Sequence, residues 1–192
     1  AVDIELASKL KKKCSSKYLA VFQGRLHPQK GVLELIGIWK SVVASLPKAR
    51  LAIIGDGELM SQVKKKIALF RLSANIDMLG YVYDGPQKAK IFSQSMIVVH
   101  PALFDSGGMA TAEAMAFGLP AVGFDLPAYE SYYPRGMIKV RLGDTAAFAQ
   151  TILTLAGSSG LYKRLSKSAK LLVYQRLSWD TRAKEVLNHV TT

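Results

Sequence analysis

Short runs of apolar residues alternate along this chain with longer segments in which apolar residues recur at every third or fourth position. The run at 18–22 predicts a first strand, and the spacing over 33–46 predicts the helix that follows it. In the strand predicted at 96–100 every residue before His100 is apolar, as expected of a strand buried on both faces. The other predicted strands lie at 51–54, 76–79, 121–124 and 138–140, and the other predicted helices at 59–72, 86–93, 108–117 and, as two or three helices, from 145 to the end.

Strands and helices that alternate in this way predict right-handed βαβ units and a mostly parallel sheet. Six predicted strands favour the doubly wound order 3-2-1-4-5-6, with helices on both faces of the sheet. In this arrangement the winding reverses between the first and fourth strands, and ligands bind outside their carboxyl ends. We therefore predict one α/β, Rossmann-like domain with its ligand site after strands 1 and 4.

Two glycine-containing loops lie at that predicted position. Residues 24–31 (Gly-Arg-Leu-His-Pro-Gln-Lys-Gly) follow the first strand, and residues 105–108 (Asp-Ser-Gly-Gly) follow the fourth. Each loop precedes a predicted helix, so backbone N–H groups and the positive end of the helix can meet an anion there. The pair predicts a nucleotide diphosphate held between the two loops.

Three charged side chains near these loops are candidates for binding that ligand. Arg25 offers a planar fork for phosphate oxygens and Lys30 a compact point charge, while Gly31 lets the backbone approach closely. Glu113 is the one charged residue of the helix predicted at 108–117, where a buried carboxylate is costly unless it is hydrogen-bonded. A ribose diol would satisfy both of its oxygens. The simpler alternatives are two solvated loop cations and an exposed glutamate.

Other residues near the same edge are weaker candidates for a functional role. Gly55 and Gly57 form a turn after the second strand, which an ordinary helix start explains equally well. His27 and His100 lie close to the predicted crevice, where a loop or capping histidine is the commoner explanation. The sequence contains no Ser-His-Asp set and no paired catalytic carboxylates.

The composition is that of one well-packed domain, with 192 residues of which 49% are apolar. No run of about 18 apolar residues occurs, so a membrane-spanning helix is not expected. The first residues lack the pattern of a signal peptide. The lone cysteine, Cys14, cannot form an intrachain disulfide, and the sequence has no cluster of metal ligands. A reducing, cytoplasmic location is expected.

The chain is strongly basic, with a formal net charge of +12 and a pI of about 9.8. Solvated helix faces explain each basic cluster taken alone, but the total favours an anionic partner. The clusters comprise Lys9, Lys11, Lys12, Lys13 and Lys17, then Lys64, Lys65 and Lys66, and finally Lys163, Arg164, Lys167 and Lys170.

Five segments, taken in order and spacing, resemble the donor-binding C-terminal domain of GT-B glycosyltransferases, in particular glycosyltransferase family 4. Each segment is weakly specific alone, but together they cover nearly the whole chain. They are 24–31 (Gly-Arg-Leu with Lys-Gly), 51–57 (Leu-Ala-Ile-Ile-Gly-Asp-Gly), 79–82 (Leu-Gly-Tyr-Val), 100–108 (His-Pro-Ala-Leu-Phe-Asp-Ser-Gly-Gly) and 113–122 (Glu-Ala-Met-Ala with Gly-Leu-Pro-Ala-Val).

The resemblance implies roles for individual residues. Asp105 and Glu113, eight positions apart, match the family's pair of acidic residues. The resemblance implies that Glu113 binds the ribose hydroxyls and that Asp105 faces the donor sugar. It also implies that Arg25 and Lys30 neutralise the diphosphate. The backbone at Gly107, Gly108 and Met109 would contact the sugar and phosphate, and Tyr81 and Val82 would pack against the nucleotide base. The loop glycines Gly24, Gly55 and Gly57 complete the donor site.

The family also implies the reaction. Such enzymes retain the configuration of the transferred sugar and usually need no metal or other cofactor, and the donor's phosphate is thought to assist the acceptor's proton. The resemblance does not identify the nucleotide base of the donor, so UDP-, GDP- and ADP-sugars all remain candidates. Two departures bear on the sugar: Asp105 is one methylene shorter than the usual glutamate, and Gly107 replaces a common aromatic residue, which would widen the sugar site.

A full enzyme of this type has a second Rossmann-like domain that carries much of the acceptor site. The resemblance therefore implies that residues 1–17 are an interdomain linker and the start of the domain, and that 18–177 bind the nucleotide sugar. Residues 178–192 would form a helix that packs toward the missing N-terminal domain. The chain alone is expected to bind nucleotide and to turn over little.

Two other functional interpretations of the sequence remain. The charge alone favours a basic module that binds nucleic acid or membrane without catalysis, but aromatic residues do not interleave with the basic clusters, so no nucleic acid is expected. A sugar-nucleotide epimerase or phosphorylase could use the same fold, although the spacing of Asp105 and Glu113 favours a transferase. The lysines also fit a lipid-linked acceptor at an anionic membrane, which would place the protein at its periphery.

Overall fold

The structure is a computed structural model that describes residues 2–9 and 16–190. Cys14 and the lysines at 11–13 lie outside the described residues. Six parallel strands form one sheet in the order β3-β2-β1-β4-β5-β6. The predicted doubly wound order is therefore confirmed.

The strands are β1 (Tyr18–Gln23), β2 (Leu51–Ile54), β3 (Ile76–Gly80), β4 (Ser95–His100), β5 (Ala121–Phe124) and β6 (Met137–Val140). The helices are α1 (Glu5–Lys9), α2 (Val32–Ser45), α3 (Met60–Leu69), α4 (Pro86–Ser93), α5 (Met109–Ala116), α6 (Ala128–Tyr132), α7 (Thr145–Gly157), α8 (Ser159–Leu172) and α9 (Trp179–Val190). A 3-10 turn at Pro28–Lys30 precedes α2, and a π-helical segment, Val173–Leu177, joins α8 to the residues before α9.

The sheet has a hydrophobic core on each face, as the prediction of helices on both sides requires. Successive residues of a strand point to opposite faces, so Val21 and Phe22 of β1 enter different cores. Phe22 packs in the core beneath α2, α3 and α7, and Val21 in the core beneath α4, α5 and α8. Strand β4 is buried from Ile97 to His100, which confirms the prediction of a strand covered on both sides.

Two local features differ from the predicted pattern. Helix α3 ends at Leu69 rather than at residue 72, because Arg71 adopts a left-handed conformation (φ 55°). The N–H of Leu72 then donates to the carbonyl of Ile67 at 2.9 Å, which closes the helix as a glycine often does. The short helices α1 and α6 were not predicted, since five residues are too few to show a helical period.

Candidate functional site

The loops after β1 and β2 pack backbone against backbone. The N–H of Gly24 donates to the carbonyl of Ile54 at 3.0 Å. A Cβ added at Gly55, where φ is 142°, would lie 1.9 Å from the carbonyl oxygen of Gly24. Glycine is therefore required at Gly55 for this close approach, which brings the two loops to one edge of the sheet.

The loop after β4 is organised by the carboxylate of Asp105. Its Oδ1 accepts hydrogen bonds from the backbone N–H groups of Gly107 (3.0 Å) and Gly108 (2.7 Å). Its Oδ2 lies 2.6 Å from Nζ of Lys30 and 2.9 Å from Nε2 of His100. Because Lys30 comes from the loop after β1, Asp105 ties the two predicted ligand loops together.

Asp105 is strongly stabilised in its ionised form. Burial alone would raise the pKa of this carboxyl, whose side chain is only 5% exposed. Hydrogen bonds from His100, Lys30 and the N–H groups of Gly107 and Gly108 outweigh burial and hold the pKa of Asp105 well below its usual range. Lys30 stays partly exposed, and an ammonium has three N–H donors, so its contact with Asp105 leaves two for a ligand.

Glu113 is held by two side chains that the sequence did not predict as site residues. Its Oε2 accepts hydrogen bonds from Nζ of Lys88 at 2.6 Å and from Nε2 of Gln23 at 2.9 Å. Lys88 also pairs with Asp84. The carboxylate is thus hydrogen-bonded, as predicted, but protein groups provide these bonds to Oε2. Its side chain is 32% exposed, so Glu113 is neither fully buried nor on an open outer face.

Lys88 is a buried cation with an exposed fraction of 8%. Burial alone would lower the pKa of its ammonium, but the contacts with Asp84 and Glu113 outweigh burial, and the pKa lies above its ordinary value. Lys88 is therefore charged at neutral pH. The two carboxylates around it account for the burial of a charge that is seldom found inside proteins.

A cleft of about 370 Å³ lies at this edge of the sheet and brings together six of the predicted donor-site residues. They are Gly24, Arg25, Gly55, Tyr81, Val82 and Glu113. Gln23, Ile54, Asp56, Asp84, Lys88 and Ala110 complete its lining. The other predicted site residues, Lys30, Gly57, Asp105, Gly107, Gly108 and Met109, do not line this cleft.

Arg25 and Tyr81 are exposed in the cleft wall, as are Asp56 and Asp84. The Arg25 side chain is exposed, and no residue in the described part of the chain forms an ion pair or hydrogen bond with its guanidinium. The Tyr81 ring is 69% exposed and meets Tyr83 edge to face at 4.9 Å between ring centroids. The cleft thus combines an unpaired guanidinium, a carboxylate and an exposed aromatic ring, a set suited to phosphate, hydroxyl and base groups.

The space beside Gly107 is filled rather than open. A Cβ at Gly107 would come within 3.0 Å of the ring of Tyr132, a residue of the unpredicted helix α6. The neighbouring Tyr133 hydroxyl lies 2.9 and 2.7 Å from the carbonyl oxygens of Gly107 and Gly108, so it can donate to either. The expected widening next to Gly107 is therefore limited by an aromatic ring from another part of the chain.

Sequence reasoning missed Gln23, Lys88 and Tyr132. A partner for Glu113 was foreseeable, because a lone carboxylate in an apolar helix needs a donor. The sequence does not say which lysine supplies it: Lys88 and Lys90 lie on the same helix, and only packing separates the buried one from the exposed one. No local pattern connects Tyr132 with Gly107.

Two further features of residues 2–9 and 16–190 bear on other kinds of site. None of the helices there is both long and apolar enough to cross a bilayer. In the same ranges, no group of three or more His, Cys, Asp or Glu side chains converges as a metal site would require.

The sheet order is that of a doubly wound, Rossmann-like domain, and the cleft lies at the carboxyl ends of its strands. Residues 3–172 match the family model described as glycosyl transferases group 1, and the chain belongs to that family. The poly(glycerol-phosphate) alpha-glucosyltransferase of Bacillus subtilis (strain 168) is 32% identical over 111 residues, which are 58% of this chain and 16% of that protein.

Solved structures share the fold at low sequence identity. HepE of Anabaena in complex with UDP-glucose superposes with a TM-score of 0.79 at 18% identity, over 91% of this chain and 49% of that one. The C-terminal domain of LpcC, a glycosyl transferase group 1 family protein from Francisella tularensis, superposes with a TM-score of 0.73 at 18% identity. That match covers 86% of this chain and 88% of the LpcC domain. This chain thus spans less than half of HepE but most of the LpcC domain.

Proposed function

We propose that this chain binds the nucleotide-sugar donor of a glycosyltransferase that transfers a hexosyl group to an acceptor. The observation that carries the proposal is the cleft at the carboxyl ends of β1, β2 and β3, walled by Arg25 and by Glu113 of α5, the helix that follows the Asp105 loop. Membership of the glycosyl transferases group 1 family supports it. UDP-glucose, bound in HepE, is one donor of the proposed class.

Each part of the donor has a candidate partner in this arrangement. Arg25 and Lys30 bind the diphosphate and stabilise the charge that develops on the departing nucleotide. Glu113 accepts a hydrogen bond from a ribose hydroxyl, and Tyr81 and Val82 pack against the base. The backbone of Gly107, Gly108 and Met109 borders the sugar. We propose that the transfer retains the sugar's configuration and needs no metal.

We assign Asp105 a positioning role within that reaction. Its side chain is 5% exposed and both of its oxygens already accept hydrogen bonds, so it acts mainly through its neighbours. It holds Lys30 beside the loop and aligns the N–H groups of Gly107 and Gly108. The sugar then lies against the loop that Asp105 shapes.

We propose that the complete enzyme has a second domain, which binds the acceptor and packs against the two ends of this chain. The segment at Val2 lies beside the segment that leads into α9. The N–H of Val2 donates to the carbonyl of Leu177 at 2.7 Å, and the N–H of Trp179 donates to the carbonyl of Val2 at 3.1 Å. Helix α9 has no buried residue in the described chain. Trp179, Val186 and Val190 are 62%, 63% and 78% exposed and share one face, which a second domain would cover.

We propose an acceptor at an anionic membrane surface, with the protein at the cytoplasmic periphery. Helix α8 carries four basic residues and no acidic one, and three of its lysines line a groove of about 390 Å³ together with Tyr174. We expect vesicles containing phosphatidylglycerol, but not phosphatidylcholine alone, to bind the chain at low salt. Lys163→Ala with Lys167→Ala should weaken this binding, while the exposed pair Lys64→Ala with Lys65→Ala should weaken it less. Equal weakening would refute a specific face.

The test of the donor site is calorimetric titration of the chain with UDP, GDP and ADP. We expect one nucleotide to bind and Glu113→Ala to weaken it about tenfold or more, as loss of a hydrogen bond to a charged group predicts. Glu185→Ala on α9, which removes an exposed glutamate, is the matched control. The proposal fails if none of the three nucleotides binds at millimolar concentration.

A further inference from the structure

Lys88 is the most deeply buried charged residue among those that line the cleft. Its side chain is 10% exposed, and its ammonium contacts Asp84 and Glu113. It lies on α4, between the cleft described above and a second cavity of about 280 Å³ that Phe92 and Trp179 help to line. Both carboxylates that it contacts also line the cleft.

The hydrogen bonds around Glu113 are unequally shared between its two oxygens. Oε2 accepts from both Lys88 and Gln23, at 2.6 and 2.9 Å. Oε1 accepts from no residue in the described ranges. Two donors on one oxygen fix the plane of the carboxylate and leave the other oxygen with its hydrogen-bonding capacity intact.

We propose that Lys88 is a positioning residue for ribose recognition, which holds the Glu113 carboxylate so that Oε1 accepts a hydrogen bond from a ribose hydroxyl of the donor. This inference rests on the proposed function. Although Lys88 lines the cleft, its ammonium is occupied by Asp84 and Glu113, and in this role it acts on the ribose through the Glu113 carboxylate. Gln23 supports it from β1 through the second bond to Oε2.

The competing explanation is purely structural: Lys88 would join α4 to α5 by its ion pair and have no part in recognition. The two explanations differ in one measurable quantity, the ratio of affinities for a ribonucleotide and its 2′-deoxy or 3′-deoxy counterpart. A structural role changes both affinities together. A positioning role changes the ratio, because only the ribonucleotide offers the hydroxyl that Glu113 would bind.

The experiment is calorimetric titration of the chain with UDP, GDP and ADP and with their 2′-deoxy and 3′-deoxy forms. For the nucleotide that binds, we expect removal of one hydroxyl to weaken wild-type binding about tenfold or more. In Lys88→Met this preference should fall to about twofold or less, and Lys88→Met should not lower it further in a Glu113→Ala background. Lys90→Met, an exposed lysine on the same helix, should keep the wild-type preference.

The outcomes separate the inference from the function on which it rests. If the wild-type chain binds no nucleotide, the proposed function and this inference both fail. If Glu113→Ala lowers the preference for ribose while Lys88→Met leaves it unchanged, only the inference fails. Should Lys88→Met not fold, Gln23→Leu provides the second variant, and an unchanged ribose preference there would also overturn the proposal.

Discussion

The carboxylate of Asp105 provides a sharp test of how the two loops are joined. Asp105→Asn keeps the shape of the side chain and can still accept from the N–H groups of Gly107 and Gly108. Its amide nitrogen, however, would face the donors of Lys30 and His100. The substitution therefore replaces an ion pair with an arrangement of donors against donors.

The expected cost follows from the exposure of each partner. The contact with His100 is buried, so its loss costs about 1–3 kcal/mol. Lys30 is 28% exposed, and solvent screening limits its contribution to about 1 kcal/mol. We expect Asp105→Asn to lower the free energy of unfolding at pH 7 by about 2–4 kcal/mol.

The pKa of Asp105 determines how the stability difference between wild type and Asp105→Asn changes with pH. The pKa of Asp105 is lower in the folded than in the unfolded chain, so the unfolded chain binds more protons below about pH 4. The free energy of unfolding of the wild type therefore exceeds that of Asp105→Asn by its full amount above that pH. This difference falls by about 1.4 kcal/mol for each further pH unit toward acid.

Urea denaturation of both forms between pH 3 and pH 7 measures this difference, with Asp125→Asn, at an exposed aspartate, as the control. The control should stay within about 0.5 kcal/mol of wild type. A wild-type advantage that is absent at pH 7, or that does not shrink in acid, would refute the assignment of Asp105 as the ionised link between the loops.

Three further predictions concern the same edge of the sheet. Gly55→Ala should destabilise the fold by about 2–4 kcal/mol in thermal denaturation, because its Cβ would lie 1.9 Å from the Gly24 carbonyl oxygen; a neutral result would contradict the close approach. Gly107→Ala should cost about 1 kcal/mol and be rescued by Tyr132→Ala, since the contact is with a movable ring; no rescue would contradict that contact. Arg25→Met should weaken nucleotide binding about tenfold or more while leaving the melting temperature within about 2 °C, since its guanidinium has no protein partner in the described chain; unchanged affinity would exclude Arg25 from the diphosphate site.

Much of the fold follows from local sequence. The apolar run of β4 and the helical spacing of α2 each report burial along a single element, which is a property of neighbouring residues. The regular alternation of strand and helix then restricts the sheet to few orders, because βαβ connections have one hand. Where this reasoning erred, as at the end of α3, the cause was one residue in a left-handed conformation.

The candidate site was only partly accessible to the same reasoning. Arg25 and Glu113 were predicted as site residues because each is a charge placed next to a glycine loop or within an apolar helix. The partners of Glu113 and the ring beside Gly107 come from α4, β1 and α6, which approach these residues only in the folded chain. Contacts between separate elements depend on how the chain folds, and no spacing along the sequence encodes them.

The residue pattern along the chain is enough to predict a doubly wound sheet with two ligand loops where its winding reverses, and to identify the family through the motifs in those loops. How the charges of the site are shared depends on the folded structure. Lys88 and Lys90 are two residues apart on one helix, yet one is buried between two carboxylates and the other is exposed. Local patterns record which residues prefer burial, whereas the pairing of a buried charge is fixed by the packing of separate elements.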